Sequence, residues 1–182
     1  AERISDEAEY RTEIRKRPMK EGRLTAAARD EKVKSVYETY YQFEEPVAKV
    51  AGYRVLAINR GEKEKFLNVK IEAPEEEILR YLEKKIIVRD NPVTSPVLKA
   101  AAEDSYRRLI APAIEREIRN DLTEKAEDGA IQVFGKNLTQ LLMQPPIAGQ
   151  VVLGWDPAFR TGCKLAVVDV TGKVLDTTVI YP

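Results

Sequence analysis

The chain has 182 residues and carries 30 Lys and Arg against 30 Asp and Glu, so its formal net charge is zero and no global field draws it toward nucleic acid. It has no histidine and one cysteine, Cys163. Within these residues that excludes a Ser-His-Asp or Cys-His arrangement, the usual His-containing zinc sites and an intramolecular disulfide.

Residues 2–43 are charged and mostly helix-compatible, with interruptions near Pro18 and Gly22. Cations exceed anions between Arg11 and Lys34, and Arg15, Lys16, Arg17 and Lys20 are candidates for phosphate contacts. A solvated helix face of alternating sign is the competing reading. Tyr37, Tyr40, Tyr41 and Phe43 follow at near-helical spacing, which favours one packing face over a base-stacking role. Arg54–Ile58 and Phe66–Ile71 alternate like strands around Arg60–Glu64, which predicts a small β-hairpin at about 53–72. Gly61 would take a left-handed position at its tip. Arg60 and Lys63 are candidate recognition residues there, against the plainer reading of a surface turn.

After Pro74, the acidic Glu75-Glu76-Glu77 suits a helix N-terminus, and Ile78, Leu79 and Leu82 form a buried stripe. Asn91–Pro96 predicts a loop in which Ser95 caps and Pro96 enters the first turn of the next helix. That helix carries Leu98, Ala101, Ala102, Ser105 and Leu109 on one face, and Pro112 must kink or restart it. Ile114, Ile118 and Leu122 follow. The spacing of Ala130, Ile131, Phe134, Leu138, Leu141 and Leu142 predicts the core face of a last helix, which Pro145-Pro146 ends.

The tail changes character. Val151-Val152-Leu153-Gly154 is an apolar strand that delivers Asp156 to a strand end, because Pro157 removes a donor and holds the preceding residue extended. Gly162 permits a turn, Lys164–Val170 predicts a second strand, Thr171-Gly172-Lys173 a tight hairpin, and Val174–Tyr181 a third strand. Arg160 and Lys164, beside Asp156, complete the set of candidate nucleic-acid contacts. Cys163 reads as a buried small hydrophobe rather than a reactive thiol.

This order of strand, Asp, hairpin strand, hairpin strand resembles the opening of an RNase H-like domain of the RuvC and YqgF kind. The wording Gly154-Trp155-Asp156-Pro157-Ala158-Phe159-Arg160-Thr161-Gly162-Cys163-Lys164 is similar to the start of the YqgF domain of the Tex family, G-L-D-P-G-F-R-T-G-C-K. Trp155 replaces an aliphatic residue and Ala158 a glycine. Upstream, Leu56-Ala57-Ile58-Asn59-Arg60-Gly61-Glu62-Lys63-Glu64 is similar to the family's L-A-L-N-R-G-E-K-E. The resemblance covers essentially the whole chain and implies an internal piece of a longer protein. The fold it implies is mostly α-helical with a small β-hairpin, followed by a truncated three-stranded antiparallel β start of an RNase H-like α/β domain. Residues 1–148 would be the helical Tex region and 149–182 the incomplete YqgF domain.

The implied function is that of an RNA- or DNA-binding transcription accessory factor, with this region as scaffold and binding surface, no catalysis and no cofactor. Its partners would be nucleic acid and the transcription machinery. The alternative is a metal-dependent RuvC-like nuclease or resolvase in the intact protein. Nucleases of that superfamily gather several carboxylates around two metals about 4 Å apart. Only Asp156 occupies such a place here, so we expect a vestigial carboxylate that holds no metal. An interrupted sheet also exposes an edge and an apolar face, which predicts coverage by the helical part, flexibility, or self-association with another copy. No apolar run is long enough to span a bilayer and there is no signal-peptide h-region, which leads us to expect a soluble protein, and the single cysteine, with no intramolecular disulfide, suits a reducing cytoplasm.

Overall fold

The computed structural model of the protein describes residues 1–145 and 147–181. The chain forms two compact units, Ala1–Phe134 and Gly135–Pro182.

The first unit opens with α1 (Glu2–Ser5) and α2 (Ala8–Glu21). Pro18 lies inside α2 without ending it: it forgoes its own backbone donor, and the helix runs on to Glu21. Gly22 closes the helix by donating to the Pro18 carbonyl at 2.9 Å. A side chain there would meet that oxygen, since a Cβ would lie 2.3 Å from it. The helix-compatible text then yields to strand: β1 (Arg23–Ala28) is followed by a 3-10 turn at Glu38–Tyr40 and by β2 (Gln42–Pro46). The alanine-rich β1 hides its alternation, yet Leu24 and Ala26 point inward and Arg23 and Ala27 outward. Tyr37 is buried, as a packing role requires, although it immediately precedes this turn rather than lying on an α-helix face.

The hairpin expected at 53–72 is corrected by the structure. Residues Gly52–Lys63 form helix α3, and only the second half is strand, β3 (Leu67–Glu72). Val55, Ile58 and Gly61 are the buried positions of α3, a three-residue interval that Val-Leu-Ala-Ile disguises as β-alternation. β3 pairs with β1 instead, giving an antiparallel sheet in the order β2-β1-β3 with Ala26 opposite both Phe43 and Val69. Gly61 is therefore no turn tip but a close-packed helical residue. The left-handed position falls on Lys65, at φ 66°. There Phe66 N–H donates to Gly61 C=O at 2.9 Å and Lys65 N–H to Glu62 C=O at 3.0 Å, the Schellman closure of a helix.

Helix α4 (Glu75–Ile86) starts on its three glutamates and buries Ile78 and Leu82, as the sequence predicts. The cap of α5 (Thr94–Asp104) differs. Asn91 Oδ1 accepts from Val93 and Thr94 N–H, while Ser95 lies within the helix and its hydroxyl donates to Asp90 Oδ1 at 2.6 Å. Pro112 neither breaks nor restarts the next helix: a π turn at Ser105–Ile110 precedes it and leads straight into α6 (Ala111–Leu142). Widening the turn removes the need for the donor that proline lacks. Burial pushes the Tyr106 phenol in this turn up to about 12, with the Glu75 carboxylate adding to the effect.

Two apolar cores hold the unit. Ile14, Ile78, Leu82, Tyr106, Ile110, Ile114 and Ile118 join α2, α4, the π turn and α6. Leu24, Ala26, Tyr37, Ile58, Leu67 and Val69 join the sheet to α3. Each fully buried Ile or Leu contributes roughly 1.5–3 kcal/mol. The core face expected at 130–142 is not a core face among the described residues: Ile131, Phe134, Leu141 and Leu142 are each more than 60 % exposed. Periodicity identifies an apolar face and says nothing of what covers it.

In the second unit, β4 (Val152–Asp156), β5 (Cys163–Val168) and β6 (Val174–Ile180) form an antiparallel sheet in that order. Cys163 is buried. The β5–β6 hairpin turns on Gly172 at φ 84° and is organised by Asp169, whose Oδ1 accepts from Thr171 N–H, Thr171 O–H and Lys173 N–H. Those hydrogen bonds, the Thr171 hydroxyl first, hold its carboxyl below the ordinary aspartate range.

Candidate nucleic-acid interface

The eight cations named from sequence meet three different fates. On α2, Arg15 pairs with Asp121 and approaches Glu117 at 3.8 Å, both on α6. Lys16 pairs with Glu13 at 2.5 Å. Arg17 reaches Glu77 at 3.4 Å and sets its guanidinium 5.4 Å from the Tyr81 ring. Arg11 also binds Glu117, at 2.9 Å. The groove along this helix, about 510 Å³ and lined by Arg11, Arg15, Lys16 and Lys20, thus has most of its positive charge matched by carboxylates. Lys20 is exposed and makes no ion pair among the described residues. Much of the basic surplus fastens α2 to α4 and α6.

The Asn59–Glu64 segment divides by helical phase. Glu62 accepts a two-pronged contact from Arg119 of α6, at 3.0 and 2.5 Å, and the same guanidinium donates to Asn59 Oδ1 at 3.0 Å. Asn59 Nδ2 in turn donates to Thr123 Oγ1 at 2.8 Å, and that hydroxyl to the Arg119 carbonyl. The Arg119 and Glu62 side chains are 21 % and 32 % exposed, so this planar pair is partly shielded from water. Arg60 and Lys63 face solvent with no ion pair among the described residues. The expected tip cations are therefore on the outer face of α3, and the segment's inner residues clamp α3 to α6. Sequence reasoning missed that clamp because its partners, Arg119 and Thr123, lie some sixty residues away and carry no motif of their own.

In the second unit Asp156 ends β4, as expected, and stands directly across from Lys164 in the β4–β5 register. Both are exposed, as is Arg160 in the connecting turn. Beside Arg160, Phe159 is 96 % exposed, a residue the sequence reading quoted without assigning it a role. The described residues contain no group of three or more His, Cys, Asp or Glu arranged to hold a metal ion, and no helix among them is long and apolar enough to cross a membrane.

Comparison with known proteins agrees with this organisation. Residues 1–134 match the model of the Tex central region, and residues 150–182 that of the Tex protein YqgF-like domain. All of the chain aligns at 56 % identity with 26 % of a Bacillus subtilis protein called YdcI. It is 37 % identical to the Transcriptional accessory protein Tex of Neisseria gonorrhoeae over 80 % of this chain and 20 % of that one. It is 36 % identical to the human S1 RNA-binding domain-containing protein 1 over 78 % of this chain and 15 % of that one. The chain thus spans about a quarter or less of the length of these relatives. With its central region and the opening of its YqgF-like domain both matched, the chain belongs to the Tex family.

Proposed function

We propose that this chain is a scaffold and binding region of a cytoplasmic transcription accessory factor that acts on nucleic acid, RNA foremost, and that it catalyses no reaction itself. One observation carries the reading: Lys20, Arg60, Lys63, Arg160 and Lys164 remain exposed and outside ion pairs among the described residues, while the neighbouring Arg15, Lys16 and Arg17 are committed to carboxylates. Free cations on a formally neutral chain are what phosphate contacts require. The names of relatives, one a transcriptional accessory protein and one an S1 RNA-binding domain-containing protein, support the same direction.

The non-catalytic part rests on the donor set. In-line cleavage with two metals needs several carboxylates, and Asp156 faces Lys164 across the strand pair instead of a second carboxylate. The test is binding of single- and double-stranded RNA and DNA by the full-length protein at several salt concentrations. Glutamine at Lys20, Arg60, Lys63, Arg160 and Lys164 should weaken binding and flatten the salt slope, by about 0.7 per lost contact on a single strand and about 0.9 on duplex DNA. An unchanged slope removes these residues from the interface. Magnesium- or manganese-dependent cleavage abolished by Asp156→Asn would establish the nuclease alternative.

A further inference from the structure

The β4–β5 turn combines a fixed base with an unsupported aromatic tip. At its base Gly162 holds φ 77°, and a Cβ there would come within 2.6 Å of Val179 Cγ1 and 2.9 Å of the Tyr181 ring. Cys163, the next residue, is 6 % exposed. The turn at residues 159–161 is therefore tied to β6 at one end, yet Phe159 places 96 % of its surface in water. The described residues leave this phenyl ring uncovered, so their packing gains nothing from it. The ring is adjacent in sequence to Arg160, and Lys164 is the second residue of β5, the strand that leaves the turn; both are exposed and outside ion pairs among the described residues.

We propose that this turn is a stacking site for single-stranded nucleic acid, with one base laid on the Phe159 ring and the adjoining phosphates held by Arg160 and Lys164. The inference deepens the nucleic-acid reading and rests on it. An exposed apolar ring followed along the chain by two exposed cations matches an unpaired nucleotide, which presents a π-face and a phosphate side by side. A duplex buries its base faces in its own stack and cannot use the ring. A preformed turn, held at Gly162, also limits the ordering that binding would otherwise demand.

The test uses the full-length protein and a single-stranded RNA carrying 4-thiouridine. Irradiation should crosslink the RNA to the segment 157–164, and crosslinks confined to other segments overturn the proposal. Phe159→Ala should weaken binding of the same RNA about tenfold without changing the salt slope, as loss of one base–aromatic stack does. Phe159→Trp should restore it, and binding of the matching duplex should not move. Arg160→Gln with Lys164→Gln should instead reduce the slope. Equal affinity of wild type and Phe159→Ala, or an equal loss on single strand and duplex, overturns the stacking site and leaves the nucleic-acid reading standing. Failure of the wild-type protein to bind any nucleic acid sinks both, so the two failures are distinguishable.

Discussion

Replacing Gly61 with alanine sets two magnitudes of opposite sign against each other. In the interior of an exposed helix, alanine is favoured over glycine by about 0.8–1 kcal/mol, because the unfolded chain has less freedom to lose. Gly61 is not exposed. A Cβ added to it would lie 2.7 Å from Leu67 Cδ1, 3.0 Å from Leu67 Cγ and 3.1 Å from Tyr37 Cδ1. Leu67 is 0 % exposed and Tyr37 5 %, so neither can swing into solvent to make room. Overpacking of this kind costs about 1–3 kcal/mol, which leaves a net loss of up to about 2 kcal/mol. Two other helical glycines supply internal controls. Gly129 and Gly135, on α6, have nothing within 4 Å of an added Cβ, so alanine there should stabilise by about 0.5–1 kcal/mol each. Urea unfolding followed by circular dichroism, comparing midpoints at constant m, reads all three variants. A Gly61→Ala variant as stable as Gly129→Ala would refute the close packing of α3 against β3.

Lys65→Gly should stabilise the protein by up to about 1 kcal/mol in the same assay, because relief of the left-handed conformation that residue 65 holds, about 1–2 kcal/mol, outweighs the roughly 0.5–1 kcal/mol of extra unfolded-chain freedom that glycine brings. Arg119→Lys keeps the charge but loses the two-pronged contact to Glu62 and the bond to Asn59; we expect a loss of about 1–2 kcal/mol, and a smaller loss when Glu62→Gln is already present. Asp169 should titrate below the usual aspartate value of about 3.9 when followed by NMR, and Thr171→Ala should raise its midpoint. Its folded-state pKa is depressed, so its contribution is present above the unfolded value and is lost as pH falls through the folded one; protection of the 169–173 hairpin should decay in that acid window.

Legibility in the sequence followed the range of the forces involved. The tail strands, the Gly162 and Gly172 turns and the acidic start of α4 are local matters of dihedral preference and helix-end charge, and each lies where its residues predict. The Arg54–Ile58 segment misled because β-branched and aliphatic residues in a short run satisfy both periods, and the partner that selects helix, α6, enters only in three dimensions. Tyr106 and Ile110 were not legible as core, since the π turn shifts the phase on which the Ala102–Leu109 face was counted. For the site, the cations were visible and their pairing was not. Arg15 looks identical to Arg160 in a string of letters, yet one lies against Asp121 and the other stands in solvent.

Ala102, Tyr106, Ile110, Ile114 and Ile118 are all buried and recur every fourth residue. In a regular α-helix each four-residue step overshoots a full turn by about 40°, so four steps would carry Ile118 roughly 160° around the axis from Ala102. One wide turn returns part of that overshoot. The π turn thus acts as a vernier between two helical scales, letting a repeat written in fours stay on a single face. It also marks a place where the chain can lose one residue, at exposed Arg107 or Arg108, and close into ordinary helix without turning either flank away from its core. Length variation among relatives would collect there, while the isoleucines on either side keep their step.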